Sequence, residues 1–403
     1  MAKIKFGVIR ECKNPPDSRV PFPPKMCKQV LDKYGDRISL SVQRSPNRCF
    51  SDAEYEAENI NLVDDVSDCD ILFGVKEVPI SNLIANKKFL FFSHTIKAQP
   101  YNSKLLQSII KQNIQLIDYE CLRYENGKRI IGFGRFAGIV GAHNGLRDYG
   151  LKTGAFSLPE AHKSKDYDEI KAIYDNTKLP NIKIAVTGGG RVSLGAKEVL
   201  DILNIKEVSP QDFLQNDYDK PVYVMLDIEE LYRHKTDNSF NRKDFYQNPE
   251  NYDCIFEPYT KETDFMINGI YWNPQAPIFF SKADMRATDF NIKVIADITC
   301  DINGSIPATT KATIIGDSTF GYDVQTEAEV APYLSDTVDI MSIDNLPNEL
   351  PRDASEMFGT ALFNHIIPEL LATDSAIIEK ASIAKNGDLT EKYEYLRDYA
   401  NGK

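Results

Sequence analysis

Short runs rich in Val, Ile and Phe alternate along the chain with stretches whose apolar residues recur at helical spacing, and this alternation predicts α/β layers. IKFGVIR (4–10) reads as a first strand. FPPKMCKQVLDKYG (22–35) reads as a helix with Pro at its start and Gly at its end, followed by the strand ISLSVQ (38–43). CDILFGV (69–75) is a buried strand that delivers Lys76 and Glu77 at its end, and FLFFSH is the next strand, ending at His94. SKLLQSIIKQN (103–113) carries apolar residues at 105, 106, 109 and 110, a helical spacing, and IQLIDYE (114–120) is a further strand. ENGK (125–128) is an Asn-Gly hairpin turn. The polar residues of this first region emerge where parallel strands end, which is where open α/β sheets bind ligands.

FGRFAGIVGAHNGLRDYG (133–150) is different, with Gly134, Ala137, Gly138, Gly141, Ala142 and Gly145 at helical spacing. Glycine weakens a helix by about 1 kcal/mol each, so this density implies close backbone contact with another element. The segment is expected to be a helix crossing between domains. Further strands are expected at PVYVML (221–226), DFMINGIYW (264–272), KVIADIT (293–299) and ATIIGD (312–317), and C-terminal helices are expected from near Pro351.

IKIAVTGGGRVSLG (182–195) joins a β-branched strand, a glycine turn and a helix. Gly188 permits the tight turn, and Gly190 lets the backbone approach a pyrophosphate seated on the helix N-terminus. Ser193 replaces the third glycine of the GxGxxG pattern. Glu207 is the candidate acid for the adenosine ribose, while Lys206 and Arg191 offer charge for a 2′-phosphate, so NAD and NADP both stay open.

Composition narrows the class. With 403 residues the chain is too long for one ordinary core, and 42% apolar with 26% charged content is that of a soluble globular protein. A net charge of −12 argues against nucleic acid or an anionic membrane as partner. No apolar run approaches a membrane span, and the N-terminus lacks the apolar core of a signal peptide. Seven scattered cysteines with no CxxC pair fit a reducing cytoplasm and no structural metal.

Lys76 and His94 end consecutive strands, and neighbouring parallel strands lie about 5 Å apart, so one cleft can hold both. Glu77, Lys97, Gln99 and Glu120 gather at the same sheet edge. A lysine desolvated near other cations acts as acid or base, and histidine changes charge near neutral pH. Arg19, in a proline-stiffened loop, and Arg129 are candidates to grip a carboxylate through two parallel hydrogen bonds.

SRVPFPP, GVKEVP, FFSHTIKAQ, LIDYE, VTGGGRVSLGA, INGIYW, ADITCDINGSI and SIDNLPNELPRDAS together resemble the lysine–ketoglutarate reductase (lysine-forming saccharopine dehydrogenase) family, itself related to alanine dehydrogenases. FFSHTIKAQ and INGIYW are most similar to the reductase domain of the bifunctional lysine-degrading enzyme of animals and plants. The resemblance implies two Rossmann-like doubly wound domains with an active-site cleft between them. Residues 1–138 plus 331–403 would form the substrate domain and 139–330 the dinucleotide domain. It implies condensation of the ε-amine of L-lysine with 2-oxoglutarate and reduction by NAD or NADP to saccharopine, or the reverse. Lys76 matches the acid–base lysine and His94 the group exchanging a proton with the secondary amine. Arg19, Lys97, Gln99, Glu120, Arg129 and Phe133 fall on substrate-side positions, with Glu77 and Lys97 as charge-tuning neighbours. Gly188, Gly190, Arg191 and Val192 match the phosphate loop, and Asp297 falls near the nicotinamide end.

Asp353 stands where many relatives carry Glu, and the chain as given carries no second catalytic domain, which implies a monofunctional form. An alanine-dehydrogenase-type aminase using ammonia and a non-catalytic nucleotide-binding homologue are the alternatives. The partners expected are small molecules, with a homo-oligomer compatible with the chain. Direction, amine and cofactor 2′ group stay open.

Overall fold

The computed structural model describes residues 2–402. The chain forms two compact units: one runs to Phe133 and resumes at Pro351, and the other is Gly134–Leu350. Among the described residues each unit is built on one eight-stranded sheet.

In the first unit six parallel strands lie in the order Gln115–Asp118, Lys88–Phe91, Ile71–Phe73, Ile4–Val8, Ile38–Gln43 and Asn61–Val63. The chain order therefore reverses between Ile4–Val8 and Ile71–Phe73, which makes their C-terminal ends the switch point of a doubly wound sheet. Ile71, Leu72 and Phe73 are all buried, as a parallel strand covered on both faces requires. Phe6 and Phe22 pack on Phe73 with ring centroids 5.1 Å apart in each case. The helix Pro24–Tyr34 buries Cys27 and Val30, and Ser103–Lys111 buries Leu105, Leu106 and Ile109. After Pro351 come helices and an antiparallel pair, Ser382–Lys385 and Asp388–Leu389, which extends the sheet beyond Gln115–Asp118.

In the second unit the parallel order is Lys206–Glu207, Val222–Leu226, Lys183–Thr187, Phe265–Asn268, Val294–Asp297 and Val338–Met341, with an antiparallel hairpin, Thr319–Asp323 and Ala328–Val330, on the far edge. Two expectations differ here. Residues 312–317 form only isolated bridges, because the strand pairing is made by Thr319–Asp323 next in sequence. The second unit also runs to Leu350 and not 330, since Val338–Met341 hydrogen-bonds beside Val294–Asp297 inside its sheet.

The glycine-rich helix, Gly134–Thr153, lies wholly in the second unit, where a crossing between domains was expected. Its glycines answer to the helix Arg191–Ile202: a Cβ on Gly138 would fall 1.8 Å from the carbonyl oxygen of Val192, and one on Gly195 would fall 2.1 Å from that of Arg135. Among the described residues no helix is long and apolar enough to cross a membrane, and no group of three or more His, Cys, Asp or Glu could hold a metal ion. All seven cysteines are free thiols.

Candidate active site

The switch point of the first unit is where its sheet opens. Ile9 donates to the carbonyl of Phe73 (3.0 Å), Gly74 to Leu90 (2.9 Å) and Phe92 to Val75 (3.0 Å), so the backbones stay paired up to the residues that carry chemistry. A cavity of about 210 Å³ lies at this edge, lined among others by Glu11, Cys12, Asp65, Lys76 and Glu77. Burial lowers the pKa of the Lys76 amine, and the nearby charges of Arg19 and Lys13 lower it further against Asp17 and Glu77. Its Nζ makes no hydrogen bond or ion pair with the described residues, so the amine is available to a ligand.

Glu77 links Lys76's strand to His94. Its Oε1 meets His94 Nδ1 at 2.6 Å, and its Oε2 accepts from Lys13 Nζ at 2.9 Å. Burial alone would raise this carboxyl, but the hydrogen bond and charge of His94, with Lys13, bring it down to about 2. His94 sits at φ +53°, in the left-handed region that is uncommon for non-glycine residues. Asp118 imposes the turn: its carboxylate accepts the Ser93 amide (2.9 Å), the Ser93 hydroxyl and the Glu120 amide (2.7 Å). The His94 ring lies nearly parallel to Phe92, 16° between planes, and among the described residues its Nε2 has no hydrogen-bond partner.

An aromatic shelf continues from there. Phe92 contacts Phe133 and Tyr119, and Phe133 stacks on Phe358 at 4.8 Å and 10°. The Arg19 guanidinium lies 4.2 Å from the Phe133 ring centre. Arg19 is 2% exposed, and Asp17 takes its Nε and Nη2 at 3.0 and 2.6 Å. The two-nitrogen edge expected to grip a carboxylate is thus engaged by a protein acid. Arg129 likewise donates to Glu120 at 2.8 Å. Lys97 and Gln99 lie on the exposed turn after His94, and their side chains join neither group; the Gln99 carbonyl accepts from Tyr399.

The second unit's switch point lies between Lys183–Thr187 and Phe265–Asn268. Here a cavity of about 460 Å³ is lined by Gly188 to Val192, Asp227, Arg242 and Gly269 to Tyr271. Gly188 has φ +93°, a turn that glycine alone makes without strain. Nothing lies within 4 Å of a Cβ built on Gly190, the residue capping the helix Arg191–Ile202. Open space before a helix N-terminus whose first amides have no intrahelical acceptor fits a pyrophosphate. Ser193 fills the third-glycine position by donating to the carbonyl of Thr187 at 2.9 Å, which ties helix to strand.

Two cofactor-side expectations change. Glu207 belongs to the outermost strand, because Val222–Leu226 intervenes between it and the glycine strand, and it pairs with Lys197 at 2.7 Å. The acid beside the loop is Asp227: a Cβ on Gly189 would fall 2.7 Å from its Oδ2, and Arg242 pairs with it at 2.7 Å. Asp297 does not face the cavity. It is fully buried and accepts from Asn268 (2.9 Å), Thr299 Oγ1 (2.7 Å) and Thr309 (2.6 Å), a node holding the strand ends.

Sequence reasoning missed Glu11, Asp17, Lys13, Asp118 and Asp227. Asp227 carried the same signal as Lys76, a charged residue directly after a buried strand, but it stands 39 residues beyond Gly188, where the usual fingerprint places the acid about 20 on. Glu11, Lys13 and Asp118 carried none, since Val75, Lys76, Glu77 and Ser93 lie 25 to 65 residues away, while Asp17 stands two residues before the Arg19 it pairs with and reads as an ordinary loop acid.

Two parallel-dominated sheets, one with a glycine loop at its switch point, define an alanine-dehydrogenase-like fold. The chain superimposes on a solved L-alanine dehydrogenase with a TM-score of 0.65 at 14% identity, over 99% of this chain and 100% of that one. Residues 7–140 match the family described as alanine dehydrogenase/PNT, N-terminal domain. The chain is similar to alpha-aminoadipic semialdehyde synthase of Arabidopsis thaliana (29% identity over 97% of this chain and 41% of that protein) and to the Mus musculus protein named alpha-aminoadipic semialdehyde synthase, mitochondrial (30%, 98% and 48%). It thus spans about half the length of these relatives or less. It is also similar to saccharopine dehydrogenase (NAD(+), L-lysine-forming) of Yarrowia lipolytica, at 26% identity over 92% of both chains. The chain is therefore a homologue of the alpha-aminoadipic semialdehyde synthases and saccharopine dehydrogenases.

Proposed function

We propose that the chain is an oxidoreductase that uses a nicotinamide cofactor to interconvert L-lysine plus 2-oxoglutarate with saccharopine. The observation that carries this reading is the group Lys76, Glu77 and His94: a desolvated amine and an imidazole held by a half-buried carboxylate, where among the described residues neither Lys76 Nζ nor His94 Nε2 makes a hydrogen bond. That is the equipment for proton transfer to two different atoms of one substrate.

In the reductive direction the lysine ε-amine attacks the keto carbon of 2-oxoglutarate. Lys76, as the neutral amine, takes a proton from the attacking nitrogen and gives it to the oxygen to form the carbinolamine; a second proton, drawn from solvent through Lys76, lets that oxygen leave as water from the protonated imine. His94 then gives a proton to the secondary amine. Arg19 and Arg129 supply positive charge toward substrate carboxylates while Arg19 stays paired through two nitrogens with Asp17 and Arg129 through one with Glu120. The nicotinamide ring supplies the hydride that reduces the imine carbon. The residues Gly188, Gly190, Arg191 and Val192 would hold its pyrophosphate, and Asp227 favours NAD, since an acid there hydrogen-bonds a ribose 2′-hydroxyl and repels a 2′-phosphate.

The test is a coupled assay of NADH and NADPH oxidation with 2-oxoglutarate across a panel of amino acids, and with pyruvate plus ammonia. Turnover confined to lysine supports the reading. Turnover with pyruvate and ammonia instead favours the alanine-dehydrogenase-type aminase. Dinucleotide binding without turnover on any pair marks a non-catalytic homologue.

A further inference from the structure

Glu11 stands three residues beyond Val8, where the first strand leaves the sheet, and it crosses the switch point to the strand that carries Lys76. Its Oε1 accepts the amide of Val75 at 2.7 Å and its Oε2 the amide of Lys76 at 3.0 Å. Both oxygens are therefore committed to two consecutive main-chain donors, in charge-assisted bonds stronger than neutral ones. A Cβ on Gly74 would sit 3.4 Å from Oε1 and 2.9 Å from Ile9 Cδ1, so the glycine makes room for the carboxylate and for the strand it comes from. Glu11 makes no contact that the chemistry proposed above employs.

We propose that Glu11 is the positioning residue of this site: by clamping the peptide between Val75 and Lys76, it fixes the point from which the Lys76 amine and the Glu77–His94 pair project. This rests on the reading of Lys76 as the proton shuttle. A glutamine at position 11 keeps the shape but offers one oxygen and turns an N–H₂ toward a second N–H. An aspartate is one methylene shorter and reaches only one amide.

The clamp is also sensitive to pH. The groups around Glu11 are Asp17 and Arg19 from its own loop, Lys76 and Glu77 from the opposite strand end, Asp65 across the cavity and Tyr119 from the turn after Gln115–Asp118. Burial, and then the Asp17 charge, raise the Glu11 carboxyl to about 7, while the two amides and Arg19 hold it down. The ionised form, which accepts both amides, is complete above that value. Below it the added proton turns one acceptor into a donor aimed at an amide.

The experiment uses the full chain as wild type, Glu11→Gln and Glu11→Asp. Trace acetylation with acetic anhydride between pH 6 and 9.5, read by mass spectrometry at Lys76 against the exposed Lys165 (78%), gives the apparent pKa and reactivity of the Lys76 amine without reference to any substrate. In the wild type the Lys76 reactivity carries an extra inflection near pH 7. In Glu11→Gln that inflection is lost and the apparent pKa rises by roughly half a unit or more, because the released peptide lets the ammonium reach water. Glu11→Asp restores part of both. Where lysine and 2-oxoglutarate are turned over, Glu11→Gln also loses the rising limb of kcat near pH 7 and falls about tenfold in kcat with KM for the cofactor unchanged. Wild-type labelling and pH profiles in both variants overturn the proposal. An enzyme inactive on every pair overturns the functional reading, while the Lys76 labelling still decides the role of Glu11.

Discussion

Replacing Glu11 by glutamine should change stability by a constant offset plus a part that varies with pH. A carboxyl raised from 4.5 to about 7 in the folded chain binds its proton more tightly than in the unfolded chain. Between those values the native state holds a proton that the unfolded state has lost, so wild-type stability falls as pH rises through the window. Below about 4.5 both states are protonated and the effect is zero; above 7 it is complete and constant. A difference of 2.5 between the two pKa values, at 1.36 kcal/mol each, gives about 3 kcal/mol. That is an upper figure, because part of the residue borders the cavity and entering water raises the local dielectric. Glutamine does not titrate, so the variant's loss of one amide contact is a constant offset, and other carboxyls cancel in the difference.

The assay is urea unfolding of both proteins from pH 4.5 to 8, followed by hydrogen exchange in the 71–76 segment. The single tryptophan, Trp272, lies in the other unit and serves as an internal control that should not respond. Relative to Glu11→Gln, the wild type should lose up to about 3 kcal/mol across the range. In a unit of this size that corresponds to roughly 6–12 °C in the difference of Tm. A flat difference curve, or one in which the wild type gains on the variant as pH rises, would falsify the picture of a desolvated carboxylate forced to ionise.

Lys76→Met and His94→Gln should each cut turnover by about 10²–10⁴-fold while NADH binding, read by fluorescence, stays within a small factor; wild-type rates in both purified proteins remove their roles. Asp227→Ala should weaken NADH binding by roughly tenfold, the loss of one charge-assisted bond, and narrow the gap to NADPH; an unchanged ratio of the two affinities would show that the acid does not meet the ribose. Gly138→Ala places a methyl 1.8 Å from a carbonyl oxygen and should destabilise the second unit by about 3 kcal/mol or more. Gly127, at φ +80° with nothing within 4 Å of its Cβ, should tolerate alanine at about 1–2 kcal/mol. Equal melting temperatures for these two glycine variants would contradict the packing argument.

What could be read from the sequence were features with local causes. An apolar run buried on both faces marks a parallel strand, and the first polar residue after it lands at the sheet's C-terminal edge, which placed Lys76 and His94 correctly at neighbouring ends. Asp297, which the family resemblance put near the nicotinamide end, carries the same strand-end pattern. It too follows a buried strand, but Asn268, Thr299 and Thr309 close over it, and they come from other segments of the chain. Glu207 failed for a topological reason, because a strand later in sequence inserts next to the glycine strand. Glu11 was invisible because its donors lie 64 and 65 residues away. An isolated glutamate in a loop has nothing in its neighbourhood to distinguish it from a solvated one.

The carboxylates that escaped the sequence share a task that explains why they escaped. Glu11 accepts two amides, Asp118 fixes the turns before His94 and Glu120, and Asp17 occupies an edge of Arg19. None of them presents its charge to the cavity as its main act; each uses it to hold a peptide or a cation in place. The burial that lets them do so also raises Glu11 to about 7 and pushes Asp118 up from its ordinary value. Holding such groups ionised opposes folding, and a chain selected for stability alone would replace them with apolar side chains. Their presence under the very strand ends that carry Lys76 and His94 is what a site built for exact proton placement requires, and it is why the stability of Glu11→Gln and the reactivity of Lys76 should move in opposite directions.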